Sequence, residues 1–304
     1  MPVPAQNQQY ENFIIRYKQN THGGFDYESD ENFQIVNDLF GILYVPMQKV
    51  PELELSSYSY SSIPRCYTYM DTGALSTSGV TGLHNHPYLK LQGKGTLVAV
   101  IDSGIDYLHP AFHNGVQSKI FSIWDQTLEG GADGRIPFGR EFGRQQIEQA
   151  LASENPWEIV PSSDTNGHGT RSAATAAGYR IEKDNFCGAA PEAEIVIVKL
   201  KQAKNYLRDF YLLPRDIDIF QEDDIMLAIS YVLFIAQEQQ MPLSICIGLG
   251  TSMGAHQGEG PLNEYINSMA ASTLFPYTTL FRSHLHRTQY LFLPEMKERP
   301  DTII

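Results

Sequence analysis

Two ionisable side chains, Asp102 and His168, occupy settings that suit acid–base chemistry. Asp102 ends the apolar run 97–101, and Ser103-Gly104 then turns the chain away. His168 lies between two glycines and is followed by small residues that predict the start of a helix. A buried carboxylate fixes the tautomer of an imidazole, which can then take the proton of a weak hydroxyl nucleophile. The pair therefore predicts two members of a nucleophilic catalytic site.

The elements that must position this pair indicate an α/β fold. The apolar run 97–101 is typical of a strand in a parallel sheet that is covered on both faces. Across residues 73–271, strand-like and helix-like stretches alternate, as they do in doubly wound sheets. A helix predicted within 221–240 opens with acidic residues and repeats apolar residues at helical spacing, namely Ile225, Ala228, Ile229, Val232 and Ala236. Asp102 then falls at the carboxyl end of a strand, where such sheets bind ligands.

The order of the two motifs, VAVIDSGID and then NGHGT, resembles the subtilisin-like serine proteases, or subtilases. A third segment, GAAPEAEIVIVKL at 188–200, resembles the turn and strand that follow the histidine helix in that family. More narrowly, SSYSYSSIPRCYTYMDTG and SICIGLGTSMGAHQGEG are similar to clostridial subtilases, including the spore-germination proteases. The resemblance covers most of residues 11–267. It implies a subtilisin-like three-layer sandwich with a parallel sheet, incomplete at its C-terminus.

The resemblance also implies an activity, that of a serine endopeptidase with an Asp-His-Ser triad. Asp102 would orient His168, which would act first as general base and then as general acid. The family's nucleophilic serine and its oxyanion asparagine have no match here. Gly250-Thr251-Ser252 has the residues of the serine segment but comes too early in the chain. The alternative is a catalytically inactive subtilase-like pseudoprotease that acts in binding or signalling.

Substrate binding is expected at Gly248, Leu249 and Gly250, which resemble the subtilase strand that pairs with an extended peptide. Glycine admits close approach of another backbone, and a simple turn is the alternative interpretation. The expected partner is thus a peptide or protein substrate.

The two ends of the chain are expected to differ from the catalytic part. Residues 11–72 resemble a small α+β prodomain, which assists folding and caps the active site. An extension packed permanently on the core is the alternative, and SSYSYSSIPRCYTYM would be either a linker or a strand laid in the cleft. Residues 272–304 are expected to be a non-native tail, because TLFPYTTLFRS resembles the translation of a sequencing adapter. A divergent natural C-terminus is the alternative there.

Composition excludes several classes of protein. The 304 residues fit one large or two smaller domains, and the 42% hydrophobic content excludes a wholly disordered chain. A net charge of −13 with 22 lysines and arginines argues against nucleic acid as a partner. No apolar stretch is long enough for a membrane span. The start, MPVPAQNQQY, lacks a signal peptide, so the cytoplasm is expected, with the spore as a second location.

Metal and disulfide chemistry are not expected. The histidine pairs His84/His86 and His109/His113 have spacings that a metal could use, but no cysteine or convergent acid joins them. A metal-dependent hydrolase that uses His168 with His84 or His86 is therefore only a third alternative, and no cofactor is predicted. The three cysteines are widely spaced and odd in number, which favours free thiols.

Overall fold

The computed structural model describes residues 3–16, 32–50, 58–69, 91–130, 135–184, 186–254, 258–272 and 278–281. Its strands, in chain order, are β1 (Tyr10–Arg16), β2 (Phe33–Ile35), β3 (Phe40–Pro46), β4 (Cys66–Tyr69), β5 (Leu97–Asp102), β6 (Ile120–Asp125), β7 (Arg140–Gly143), β8 (Glu194–Lys199), β9 (Phe220–Gln221), β10 (Leu243–Ile247), β11 (Leu249–Gly250) and β12 (Thr278–Phe281). The α-helices are α1 (Arg144–Leu151), α2 (Pro156–Ile159), α3 (His168–Ala177), α4 (Asn205–Phe210), α5 (Glu222–Gln239) and α6 (Pro261–Ser272). Three 3-10 turns lie at Met47–Lys49, Tyr60–Ser62 and Glu182–Asp184.

A six-stranded sheet forms the centre, in the order β12-β10-β5-β8-β6-β7. All neighbouring strands in it are parallel except β6 and β7. Strand β5 is central, and none of its residues is more than 6% exposed. The apolar run 97–101 therefore forms the buried parallel strand that the sequence predicts.

Helices cover both faces of this sheet, so the predicted three-layer α/β architecture is confirmed. On β5, Leu97, Ala99 and Ile101 face one core, which also contains apolar residues of α5 and α6. Val98 and Val100 face the other core, which contains residues of α1 and α3. All five apolar positions predicted on α5 are buried. Since every β5 side chain is packed, Asp102 at its end is rigidly placed.

The N-terminal region forms its own antiparallel sheet, β1-β3-β2. Ile14 and Phe40 from this sheet join the core that contains α5 and α6. Among the described residues before 70, the helical turns are of the 3-10 type. The predicted boundary between 72 and 73 lies outside the described residues, so the division into prodomain-like and catalytic parts stays a prediction.

A buried lysine, Lys204, fastens the N-terminal region to the rest of the molecule. Its ammonium group donates to the carbonyls of Pro4 (2.8 Å) and Tyr10 (3.0 Å) and to Asn12 Oδ1 (2.7 Å). The Tyr206 hydroxyl accepts from the backbone N–H of Asn12 and donates to its carbonyl, both at 2.9 Å. Lys204 and Asn12 are at most 1% exposed. This contact is therefore a buried polar clamp.

The surroundings of Lys204 shift its pKa strongly. Burial lowers the pKa of Lys204 to about 7, and the neighbouring charge of Lys201 lowers it as well. The carboxylates of Asp223, Asp224 and Glu11 act in the opposite direction. The folded protein thus holds the Lys204 proton less tightly than an unfolded chain would.

A second three-stranded sheet, β11-β4-β9, joins the segment before the central sheet to two strands from the later part of the chain. Strand β4 pairs antiparallel with β9 through Cys66–Gln221 and with β11 through Tyr69–Leu249. It follows that part of SSYSYSSIPRCYTYM is a strand rather than a linker.

Strand β12 lies within the segment expected to be a non-native tail and pairs parallel with β10 at the edge of the central sheet. Most of residues 272–304 lie outside the described residues, and the origin of this segment stays a prediction. Cys66, Cys187 and Cys246 are unpaired, as the sequence predicts. In the part of the chain that the structure describes, no helix is long and apolar enough to cross a membrane.

Candidate active site

Asp102 and His168 meet at the carboxyl end of the central sheet. Asp102 is the last residue of β5, and His168 is the first residue of α3. Nδ1 of His168 lies 2.8 Å from Oδ1 and 2.9 Å from Oδ2 of Asp102, and the two residues are 5% and 1% exposed. An ionised carboxylate only accepts hydrogen bonds, so the proton is on Nδ1. The distance expected for an orienting acid and its base is met.

Asp164 fixes the loop that presents His168. Its carboxylate accepts from the backbone N–H groups of Gly167 (2.9 Å) and Thr170 (2.8 Å) and from the hydroxyls of Ser103 (2.8 Å) and Thr170 (2.6 Å). Burial alone would raise the pKa of Asp164, but these hydrogen bonds outweigh it and hold the pKa below its usual value. Ser103 also accepts from the N–H of Gly169 at 2.9 Å. One carboxylate thereby ties the turn after β5 to the first turn of α3.

A glycine is required at position 248, because its Cα packs directly on the pair. A Cβ at Gly248 would lie 2.6 Å from Asp102 Oδ2 and 2.9 Å from His168 Cε1. The next neighbour is the Ser172 hydroxyl, at 3.3 Å from the same point. That hydroxyl is buried and has no hydrogen-bond partner among the described residues. Gly248 therefore lies beside the acid and base, a role that the motif GLG did not predict.

The edge expected to bind substrate is occupied by the chain's own strand β4. Leu249 and Gly250 form β11 and pair antiparallel with Tyr69 and Thr68. The other side of β4 pairs with β9. An extended peptide thus lies between two flanking strands, which is the arrangement of peptides that bind by strand addition.

Tyr69, at the end of β4, brings this internal peptide onto the catalytic pair. Its ring stacks on the His168 imidazole with 4.5 Å between centroids and 29° between planes. Its hydroxyl donates to Asp218 Oδ2 at 3.1 Å. One pattern in the sequence indicated this contact, the serine- and tyrosine-rich segment considered as a strand in the cleft, but nothing in that segment distinguished Tyr69 from the other tyrosines.

Of the histidines considered as metal ligands, the two that the structure describes contact backbone groups of a nearby loop. His113 Nε2 contacts the Leu108 carbonyl at 2.8 Å, and its Nδ1 accepts from the N–H of Gly115 at 3.0 Å. His109 Nδ1 accepts from the N–H of Ala111 at 3.2 Å. Both therefore shape the loop after β5. His84 and His86 lie outside the described residues, and within the described ranges no group of three or more potential ligand side chains is arranged for a metal ion.

Comparison with known proteins assigns the class. Residues 93–211 match the subtilase family, peptidase S8. These residues include Asp102, His168 and the three adjacent central strands β5, β8 and β6. Residues 93–211 therefore form a subtilase-type part of this chain.

Individual relatives agree with this class. The chain is 30% identical over 125 residues to the Arabidopsis thaliana subtilisin-like protease SBT1.4, across 36% of this chain and 16% of that protein. It is 28% identical over 142 residues to SBT1.9 of the same plant, across 42% of this chain and 18% of that protein. The chain thus spans less than a fifth of these curated relatives' length.

A solved structure is similar over a larger part of the chain. The Clostridium perfringens CspB protease is 27% identical, with a TM-score of 0.53, across 66% of this chain and 38% of that one. The fold of this protein is therefore subtilisin-like, and the resemblance to a clostridial subtilase seen in the sequence is confirmed.

Proposed function

We propose that this subtilase domain belongs to a serine-type endopeptidase that hydrolyses peptide bonds. The observation that carries the proposal is the buried hydrogen bond between Asp102 and His168 Nδ1, at 2.8 Å. In the proposed reaction His168 takes the proton of a serine hydroxyl as that oxygen attacks the peptide carbonyl, and later returns it to the leaving amine. Asp102 stabilises the imidazolium formed between these steps. The serine is not assigned to a residue of this sequence.

The substrate proposed for this site is an extended peptide, and β4 supports that proposal. Strand β4 lies between β9 and β11 and ends with Tyr69 on His168. A substrate in the same position would use the same backbone groups, so β4 and substrate would compete. The N-terminal region is thus proposed to act as a prodomain that occupies the cleft.

The test uses purified protein expressed from the complete gene that encodes this domain, assayed on a broad peptide library. We expect hydrolysis that falls by about 10⁴-fold in Asp102→Asn, as is typical when the imidazole loses its orienting carboxylate. His168→Ala is expected to lose at least as much activity. Hydrolysis that survives both substitutions would remove the pair from the mechanism. A full-length protein that folds but hydrolyses nothing would favour the pseudoprotease.

A second measurement examines the present chain. No serine of this sequence matches the nucleophile segment of the family. The 304-residue chain should therefore not react with a serine-directed phosphonate. Phosphonate labelling that disappears in His168→Ala would contradict this and would reveal a serine within these 304 residues.

A further inference from the structure

A cavity of about 780 Å³ lies apart from the catalytic pair, between the N-terminal sheet and the start of α6. Its walls include Ile14 and Arg16 of β1, the 3-10 turn Tyr60–Ser62, Arg65, and the glycines Gly254 and Gly260. This volume is in the range of small-molecule sites, about 300–1,000 Å³. Arg65 is the residue that gives the cavity a chemical character.

The Arg65 backbone is held firmly in place. Its N–H donates to Glu222 Oε2 at 3.0 Å, and its carbonyl accepts from the N–H of Glu222 at 2.9 Å. The residue directly precedes β4 and is only 7% exposed. The side chain therefore starts from a fixed point.

Two glycines make room for the Arg65 guanidinium. A Cβ on Gly254 would lie 2.7 Å from Nη1, and one on Gly260 would lie 2.6 Å from both Nη1 and Nη2. Both glycines have positive φ, 98° and 129°, which other residues rarely adopt. The Tyr60 ring lies on the guanidinium as well, with 5.9 Å from Cζ to the ring centroid. The planar group is thus enclosed by backbone and an aromatic ring.

Among the described residues, no carboxylate lies within ion-pair distance of the Arg65 guanidinium, and Glu222 acts on it only through the longer-range electrostatic attraction between their charges. Arg65 Nε is buried without a hydrogen-bond partner, and no ion pair found among the described residues includes Arg65. The buried acid Glu222 uses its two oxygens to accept from the backbone N–H groups of Arg65 and Leu262. The cavity wall itself contains two acids: Glu264 pairs with Arg16 at 3.1 Å, and Glu259 is in no ion pair with a described residue. Buried guanidinium groups are normally paired, because an unpaired buried charge is costly.

We propose that this cavity is an oxyanion site, in which the Arg65 guanidinium binds a carboxylate or phosphate group. The planar fork of arginine suits these groups, because two parallel N–H donors meet two oxygens. The hydroxyl-rich turn at Tyr60–Ser62 adds further donors to the wall. A bound anion would bridge the N-terminal region to the loop before α6 and would strengthen the docking of β4.

The first test measures the thermal unfolding midpoint of the chain in Tris chloride. Sodium phosphate and sodium acetate are titrated separately, each against sodium chloride at matched ionic strength. We expect a saturable rise of about 3 °C or more with at least one oxyanion. A response to acetate alone assigns a carboxylate ligand, and a response to phosphate assigns a phosphoryl group. Equal midpoints in oxyanion and chloride would overturn the site.

Variants locate the effect. Arg65→Met should abolish the rise and Arg65→Lys should reduce it, because an ammonium group lacks the fork. The exposed Arg180→Met is the control and should respond like the unmodified chain. A rise that persists in Arg65→Met would contradict the proposal.

The last measurement observes Arg65 in the unmodified protein and does not depend on Arg65→Met. In protein labelled with ¹⁵N-arginine, the Nε–H signal of Arg65, assigned with Arg65→Lys, should move with the oxyanion and saturate. An Arg65 signal unchanged by both anions would overturn the proposal, even if Arg65→Met does not fold.

Discussion

The ring of Tyr69 lies against the imidazole of His168, 4.5 Å away between centroids, and its hydroxyl is held by Asp218. The contact joins the last residue of an N-terminal strand to the first residue of the helix that carries the base. One face of the imidazole is therefore covered by the chain itself. Entry of any other peptide at that face requires Tyr69 to move.

Removing the Tyr69 ring should expose His168. We expect Tyr69→Ala to increase the rate at which diethyl pyrocarbonate modifies His168, measured residue by residue by mass spectrometry. The lost ring contact should also cost about 1 kcal/mol of unfolding free energy. Tyr69→Phe is the matched control, since it keeps the ring and loses only the hydroxyl, with its hydrogen bonds to Asp218 and Ser103. Equal modification rates in all three proteins would mean that Tyr69 does not shield the imidazole.

A methyl group at position 248 should separate the acid from the base. Gly248→Ala places an atom 2.6 Å from Asp102 Oδ2, so the pair or the strand must shift. We expect a loss of about 1–3 kcal/mol in stability, as for other overpacked sites. The proton shared by His168 Nδ1 and Asp102 should lose or move its downfield NMR signal. Gly143→Ala is the control, because a Cβ there meets nothing within 4 Å. If the NMR signal of the His168 Nδ1 proton is unchanged in Gly248→Ala, the tight contact is refuted.

Asp164 should stabilise the protein at neutral pH and lose that effect in acid. Its pKa is lower in the folded state, so the folded protein binds fewer protons than the unfolded chain as pH falls through the usual aspartate range. The stabilisation is complete above the unfolded pKa and disappears as pH falls through the folded one. We expect Asp164→Asn to cost about 1–3 kcal/mol at pH 7, and less at low pH, in urea unfolding. Exposed Glu154→Gln is the control, and a pH-independent cost would argue against ionised Asp164.

Lys204 should make stability rise with pH on the alkaline side. Its folded pKa of about 7 lies below the ordinary value of 10.5, so between these values the unfolded chain binds more protons. Stability should therefore increase with pH across this window, by at most about 1.4 kcal/mol per pH unit. Lys204→Met should flatten the slope in urea unfolding from pH 7 to 9.5, whereas exposed Lys94→Met should keep it. A slope that Lys204→Met leaves unchanged would show that another group is responsible.

The sequence predicted those parts of the site that local pattern determines. The apolar run before Asp102 specified a buried strand, and the glycines around His168 specified a tight turn into a helix. That the two motifs lie near each other was implied by the resemblance to subtilases, in which they belong to one catalytic site. The strand and the turn needed only the residues within each motif, whereas the pairing needed the resemblance.

The sequence did not predict contacts made across long separations. Lys204 resembles any other lysine in its own segment, and its three acceptors belong to the first twelve residues. Gly248 was interpreted as a substrate-binding residue because its motif permits close approach of another backbone. The motif does not show which part of the molecule lies beside the glycine. Tyr69 likewise depends on how β4 aligns with strands far away in the chain.

The position of β4 between β9 and β11 also determines the order in which the molecule can assemble. During synthesis β4 leaves the ribosome first, and its two neighbours follow more than 150 residues later. Contacts between such distant segments form slowly, because closing the long loop between them costs conformational entropy before any contact is made. The central strands β5, β6 and β8 can meet earlier. We therefore expect the contact of Tyr69 with His168 to be among the last to form, so that the base is assembled before it is covered.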